Sequence, residues 1–188
     1  VIMAGSNLRA GSLIENSSTG NITIKEENSG GLVVLSGGVN AKNDGVIDLT
    51  STAKNSFGIY ATSANTNAIA NNGNINIAGE NSIGLRSEGG TLVSGTNGVV
   101  DITGGSGNIG MYASSGSVTN NGEIKITGGT QNKAFFITGA GSTGTSTNKV
   151  DINADESYGV IVTNGGQYTG SGTFSISGDN SYGFVAKG

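Results

Sequence analysis

The sequence predicts an all-β chain wound as a right-handed parallel β-helix, a solenoid of about seven rungs of roughly 25 residues with three strands per rung. Three observations carry this. A Gly-x-Ile-x-Ile phrase returns seven times, a second alternating phrase follows each copy after about a dozen residues, and no 3.6-residue period appears. Alternation with period two means that the two faces of an extended segment are treated differently, which describes a strand with one wet face.

The copies of the first phrase lie at 20–24, 45–49, 73–77, 98–102 and 122–126, with weaker ones at 148–152 and 172–176. In register, their inward positions read Ile22, Ile47, Ile75, Val100, Ile124, Val150, Phe174 and Ile24, Leu49, Ile77, Ile102, Ile126, Ile152, Ile176. No polar residue interrupts either column. A parallel β-helix, with each turn about 4.8 Å above the last, is the simplest geometry that stacks such equivalent residues. Seven rungs give a rod of roughly 35 Å.

The second phrase, a glycine among alternating apolar residues, occurs at 57–61, 83–87, 109–113, 158–162 and 182–186. It supplies an inward column of Leu32, Ile59, Leu85, Met111, Phe135, Val160 and Phe184. The residue before the glycine, as in Phe57, Ile83, Ile109, Tyr158 and Tyr182, is expected inward as well. Lys133 breaks that column, so either its stem snorkels to water or the segment 131–134 bulges. Leu13, Val39, Leu92 and Val118 suggest a third, shorter strand, lost at 139–147 where Gly, Ser and Thr replace everything apolar. Asn71, Asn72 and Gly73, with Asn120, Asn121 and Gly122, are expected to supply positive-φ corners.

Composition narrows the chemistry. The 35 glycines with abundant Asn, Ser and Thr would suit a low-complexity segment, but the apolar residues are ordered in columns. With no cysteine and no histidine there is no disulfide, no Cys/His zinc site and no nucleophile activated by histidine. The net charge of -4 argues against nucleic acid and anionic membrane as partners. No stretch approaches the roughly 20 apolar residues of a membrane-spanning helix. Val1, Ile2, Met3 and Ala4 resemble the residues after the second-phrase glycine, and the chain closes on that phrase at Phe184, Val185 and Ala186. Natural solenoids cap open rungs, so residues 1–188 are expected to be one β-helix segment of a longer solenoid.

Asn-Asn-Gly-x-Ile-x-Ile, the phrase Asn-Ser-x-Gly at Asn55, Ser56, Phe57, Gly58, at Asn81, Ser82, Ile83, Gly84 and at Asn180, Ser181, Tyr182, Gly183, and the lack of cysteine together carry a resemblance. The chain resembles passenger domains of large type V autotransporter adhesins, most of all the outer-membrane autotransporters of fusobacteria. That resemblance implies a β-helix stalk at a Gram-negative cell surface, tethered to the outer membrane by a barrel domain that is not present here. It implies binding to host or bacterial surface proteins or glycans, and a setting in virulence. Export through a narrow barrel fits the missing cysteine.

Candidate sites lie where the copies differ. The outward column of the second phrase reads Val33, Tyr60, Arg86, Tyr112, Phe136, Ile161 and Val185. Tyr60, Arg86, Tyr112 and Phe136 form the expected binding stripe, because Tyr and Arg are enriched in binding hot spots and aromatic faces suit sugar rings. The opposing reading is a face covered by another segment, or tolerated β-propensity. The outward column of the first phrase reads Thr23, Asp48, Asn76, Asp101, Lys125, Asp151 and Ser175. Asp101 and Asp151, about 9.6 Å apart in a regular stack, fall near the spacing of an inverting glycosidase pair. The structural alternative places Lys125 between them as an ion pair, with Glu123 beside Lys149 and nothing to raise a carboxyl pKa. The stretch 104–110 echoes a calcium-binding nonapeptide but has Asn108 in place of Asp and does not repeat. The segments 139–148 and 62–70 are expected as loops leaving the coil.

The expected function is a non-enzymatic, surface-displayed adhesin segment acting as rigid stalk and binding face, with no catalytic residue, metal or cofactor. Its partners would be a surface protein or glycan and the rest of the same passenger chain. A polysaccharide-acting hydrolase or lyase and a purely structural spacer are the alternatives.

Overall fold

A computed structural model describes residues 2–4, 11–35, 37–62 and 69–188. It contains three parallel sheets and no helix among the described residues, and the chain visits the sheets in fixed rotation. The first-phrase sheet stacks Asn21–Ile24, Val46–Leu49, Asn74–Ile77, Val99–Ile102, Glu123–Ile126, Val150–Ile152 and Phe174–Ile176. The second-phrase sheet stacks Ile2–Ala4, Gly30–Val34, Phe57–Ala61, Ile83–Ser87, Ile109–Ser114, Lys133–Thr138, Tyr158–Thr163 and Tyr182–Lys187. The third holds Leu13–Asn16, Asn40–Asn43, Ile69–Asn71, Thr91–Ser94, Ser117–Asn120, Thr143–Ser146 and Gln167–Gly170. This is a parallel β-helix of about seven turns.

Both first-phrase columns stack in the expected register. Ile47, Ile75, Val100, Ile124, Val150, Ile77, Ile102, Ile126 and Ile152 are fully buried. Burial falls off at the last rung, where Phe174 is half-buried and Ile176 and Phe184 are exposed. Each fully buried Ile or Leu removes enough apolar surface for about 1.5–3 kcal/mol, so the ladders supply most of the driving force.

The third sheet corrects two expectations. Its inward column is Ile14, Ala41, Ile69, Leu92, Val118, Gly144 and Tyr168. Leu13 pairs with Asn40 one position earlier and is exposed, and Val39 is buried ahead of its strand. A one-residue slip exchanges the two faces of a strand. Nor is the strand lost at 139–147, and the segment 139–148 is no simple loop: Thr143–Ser146 pairs on both sides. Gly144 leaves the interior space that a side chain would take, and Ile137 and Tyr168 fill it, lying 2.7 and 3.1 Å from where its Cβ would be. Of the segment 62–70, residues 63–68 lie outside the described residues, and Ile69 and Ala70 belong to a strand.

Two polar ladders run inside the corners. Asn16, Asn43, Asn71, Ser94, Asn120 and Ser146 stack in register, each essentially buried. Asn16 Nδ2 donates to Asn43 Oδ1 at 2.8 Å, and Asn43 Nδ2 to Asn71 Oδ1 at 2.7 Å. Asn71 and Asn120 are therefore interior ladder residues rather than positive-φ corners. Left-handed conformations instead recur at Asn28, Asn55, Asn81, Gly107, Gln131, Glu156 and Asn180, which open the Asn-Ser-x-Gly phrase and its equivalents. The residue after each builds the second ladder: Ser29 N donates to Ser56 Oγ, Ser56 N to Ser82 Oγ, Ser82 N to Asn108 Oδ1 and Asn108 N to Asn132 Oδ1.

The asparagine ladder falters at Ser94, whose short side chain leaves its own Oγ and Asn120 Oδ1 buried without a partner. Asparagine fits this place, because Asn16 precedes the same turn: Gly20 N donates to Ser17 O as Gly98 N donates to Gly95 O. Ser94→Asn is expected to raise stability by about 1 kcal/mol through the restored bonds. Asn71→Ala is expected to lower it by about 1–3 kcal/mol, since it removes the short bond from the buried Asn43 amide and leaves that amide only a 3.5 Å contact with the Asn74 carbonyl. Denaturant titration of both variants checks the pair, and opposite signs are required.

Candidate binding face

The outer face of the second-phrase sheet owes its character to its glycine. A Cβ on Gly58 would lie 2.8 Å from the Gly84 carbonyl oxygen and 2.9 Å from Cγ2 of the buried Ile75, and Gly84 meets Gly110 and Val100 in the same way. The glycine thus faces the core, and so does the next residue: Ile59, Leu85 and Met111 are fully buried. Two consecutive inward residues shift the alternation by one. The residue before the glycine then points to the same side as the residue two after it.

This corrects the expected inward position of Phe57, Ile83, Ile109, Tyr158 and Tyr182. They stack in register outside the coil, half-buried except for Tyr182, which is exposed. Phe57 packs on the outward Tyr60, ring centroids 4.9 Å apart. Lys133 interrupts no core column, because it stands in this outer one between Ile109 and Tyr158. Its Nζ donates to the Gln131 carbonyl at 2.9 Å. Burial holds its pKa below the usual lysine value.

Tyr60, Arg86, Tyr112 and Phe136 occupy consecutive rungs in register, as the sequence predicts. The Arg86 guanidinium carbon lies 5.0 Å from the Tyr60 ring centroid and 6.0 Å from that of Tyr112, within reach of cation–π attraction to both. Tyr112 meets Phe136 edge to face at 5.7 Å. Sequence reasoning missed Glu88. Both Nε and a terminal nitrogen of Arg86 donate to its Oε1, and the Tyr60 hydroxyl donates to its Oε2. The available signal was the i, i+2 spacing of Arg86 and Glu88, which puts both on one side of an extended segment.

Burial acts to raise the Glu88 pKa, but the hydrogen bonds from Tyr60 and Arg86 outweigh it and hold the carboxyl below its ordinary value. Burial, reinforced by Glu88, pushes the Tyr60 phenol up.

The first-phrase sheet presents a different surface. Thr23, Asp48, Asn76, Asp101, Lys125, Asp151 and Ser175 stack outward as expected. Lys125 pairs with Glu123 at 3.2 Å, while Lys149 bridges Glu123 at 3.1 Å and Asp151 at 3.0 Å. Burial raises the Asp101 pKa, against the expectation that nothing would, with the Thr127 hydroxyl bond and Lys125 opposing. Lys125 occupies the rung between Asp101 and Asp151, and Asp151 is held by Lys149, so the pair does not flank an open space. Asn108 is fully buried and its amide is spent inside the coil, donating to Gly79 O at 2.7 Å and Gly104 O at 2.9 Å. Its Oδ1 accepts from Ser82 N at 2.8 Å inside the same corner.

A pH dependence arises from Glu88. A carboxyl whose pKa is lower in the folded state adds stability above its unfolded value, and loses that contribution as pH falls through the folded one. Wild-type Tm is therefore expected to decline on acidification below about pH 4.5 more steeply than that of Glu88→Gln. Parallel Tm–pH curves for the two proteins would contradict the assigned cluster. Comparison with protein-family models, with curated proteins and with solved structures finds no match for this chain.

Proposed function

We propose that this chain is a stalk segment of a surface-displayed, non-enzymatic adhesin, with the Tyr60–Arg86–Tyr112–Phe136 stripe as a lateral binding face. The observation that carries the reading is the contrast between faces. The outward columns of the first-phrase sheet are polar apart from Val46 and Val99, whereas both outward columns of the second-phrase sheet are mostly aromatic or aliphatic around one organised arginine. Exposed apolar surface costs solubility, and a contiguous stretch of it marks an interaction site more often than an isolated residue does. Tyrosine and arginine are also the side chains that dominate binding energy at interfaces.

The mechanism is presentation. The stacked ladders fix the stripe at the spacing of the rungs, so a partner meets side chains that are already ordered. The sequence resemblance to autotransporter passengers supports placing this activity outside the cell, tethered to the outer membrane of a Gram-negative bacterium. The partner would be a host or bacterial surface protein or glycan.

The triple variant Tyr60→Ala, Tyr112→Ala, Phe136→Ala should lose at least tenfold in adherence of the purified chain to target cells. Its core is untouched, so its circular dichroism and cooperative unfolding should persist. Equal adherence by the folded triple variant would reduce the chain to a spacer. Turnover of a neutral or acidic polysaccharide, abolished by Asp101→Asn or Asp151→Asn, would replace the reading with that of an enzyme.

A further inference from the structure

The rod treats one of its lysines differently from the rest. Lys42, Lys54, Lys125 and Lys149 each pair with a carboxylate, and Lys25 and Lys187 are exposed. Lys133 is half-buried, makes no ion pair among the described residues, and donates through Nζ to the Gln131 carbonyl at 2.9 Å.

The register accounts for this. In the outer column of the second-phrase sheet Lys133 stands between Ile109 on the strand before and Tyr158 on the strand after, and neither offers a carboxylate. Glu156 lies at the corner one rung on, in the left-handed place that Gln131 holds in its own rung, and forms no salt bridge with Lys133. Whole strands stack on both sides, Ile109–Ser114 and Tyr158–Thr163, so these surroundings belong to the middle of the sheet rather than to an end.

An ammonium in such a place has lost part of its hydration and gained no counter-charge. Burial accordingly favours the neutral amine and holds the pKa below the usual lysine value. The neutral amine is the nucleophilic form, and desolvation among apolar groups is one way a lysine becomes reactive toward carbonyl compounds. The Gln131 bond spends one N–H on a backbone oxygen, which fixes Nζ and leaves the lone pair of the neutral amine to a partner from solution.

We infer that Lys133 is a covalent attachment site for aldehydes, the class that includes the open-chain form of reducing sugars, held as an imine on Nζ. The lone pair of Nζ adds to the carbonyl carbon, the nitrogen gives up its two protons, and the carbonyl oxygen leaves as water while the C=N bond forms. No oxidant or reductant takes part. Apolar neighbours that thin the water around Nζ also disfavour the reverse hydrolysis. The site uses none of the four stripe residues, so it stands or falls apart from the adhesion reading.

For the test, the 188-residue chain is exposed to a limiting amount of glyceraldehyde at pH 7, imines are trapped with cyanoborohydride, and the label on each lysine is measured by peptide mapping. Lys133 should be labelled at least fivefold faster than the exposed Lys25. That ratio should narrow as the pH is raised, because the ordinary lysines then become neutral as well. Ile109→Glu, which sets a carboxylate opposite Lys133 on the neighbouring strand, should restore the ammonium and cut the Lys133 label at least fivefold. Ile109→Gln, similar in size and uncharged, should leave it within twofold. Ile109 stands outside the coil, so both variants keep the core, which circular dichroism checks. Three results would overturn the proposal: Lys133 labelled no faster than Lys25 in the wild-type chain, an undiminished Lys133 label in folded Ile109→Glu, or an equal loss in the Glu and Gln variants, which would trace the effect to access rather than charge.

Discussion

Every feature of this molecule depends on one constraint, the in-register hydrogen bonding of each rung's backbone to the next. Parallel stacking at about 4.8 Å brings each side chain against its own equivalent, so a position is stable only if its residue tolerates a copy of itself above and below. Isoleucine does so by packing. Asparagine does so because its amide carries a donor and an acceptor, and the Asn16–Asn43–Asn71 bonds are that property repeated inside the protein. Serine meets the demand where a backbone N–H lies within reach, as from Ser29 to Ser56 to Ser82, or where an amide reaches it, as Asn120 reaches Ser146, and fails at Ser94. A buried polar column, ordinarily a liability, is here part of the stacking code.

The same constraint decides which features were legible in the sequence. The isoleucine columns could be read directly, because strict alternation names both the strand and its inner face. The glycine of the second phrase could not, since a residue without a side chain gives no sign of the direction it faces. Extending the alternation through Gly58 and Gly84 put Phe57 and Ile83 on the wrong side of the sheet. The third column slipped by one at Leu13 because the corners vary in length and the strand is short. Asn71 and Asn120 looked like turn residues since asparagine serves both roles, and only their burial separates them. Glu88 was overlooked because it lies just outside the repeated phrase, where a column reading does not look.

The glycine shift also matters for the candidate site. Had the alternation run unbroken, the outer face would carry a single column, Tyr60–Arg86–Tyr112–Phe136. By sending two successive residues inward, the strand turns Phe57, Ile83, Ile109 and Tyr158 outward beside it. The face becomes two columns wide, and Phe57 can pack on Tyr60. The width therefore has a backbone origin. Among the described residues Ala134 is the one departure within this glycine column, and it is fully buried, so its rung keeps the same facing.

Charge is distributed over the two faces in correspondingly different ways. On the first-phrase sheet each lysine lies among carboxylates, Lys149 with two of them, in exposed pairs that contribute about 0–1 kcal/mol each. Their effect is to keep that face polar and hydrated. On the second-phrase sheet the surroundings are aromatic, water is partly excluded, and a charge interacts more strongly with whatever meets it. Arg86 resolves this internally through Glu88 and its two flanking rings, which holds the guanidinium in a fixed place. Lys133 makes no ion pair among the described residues and donates to the Gln131 carbonyl instead, so on this face one cation is held by a carboxylate of its own rung and the other by a backbone oxygen.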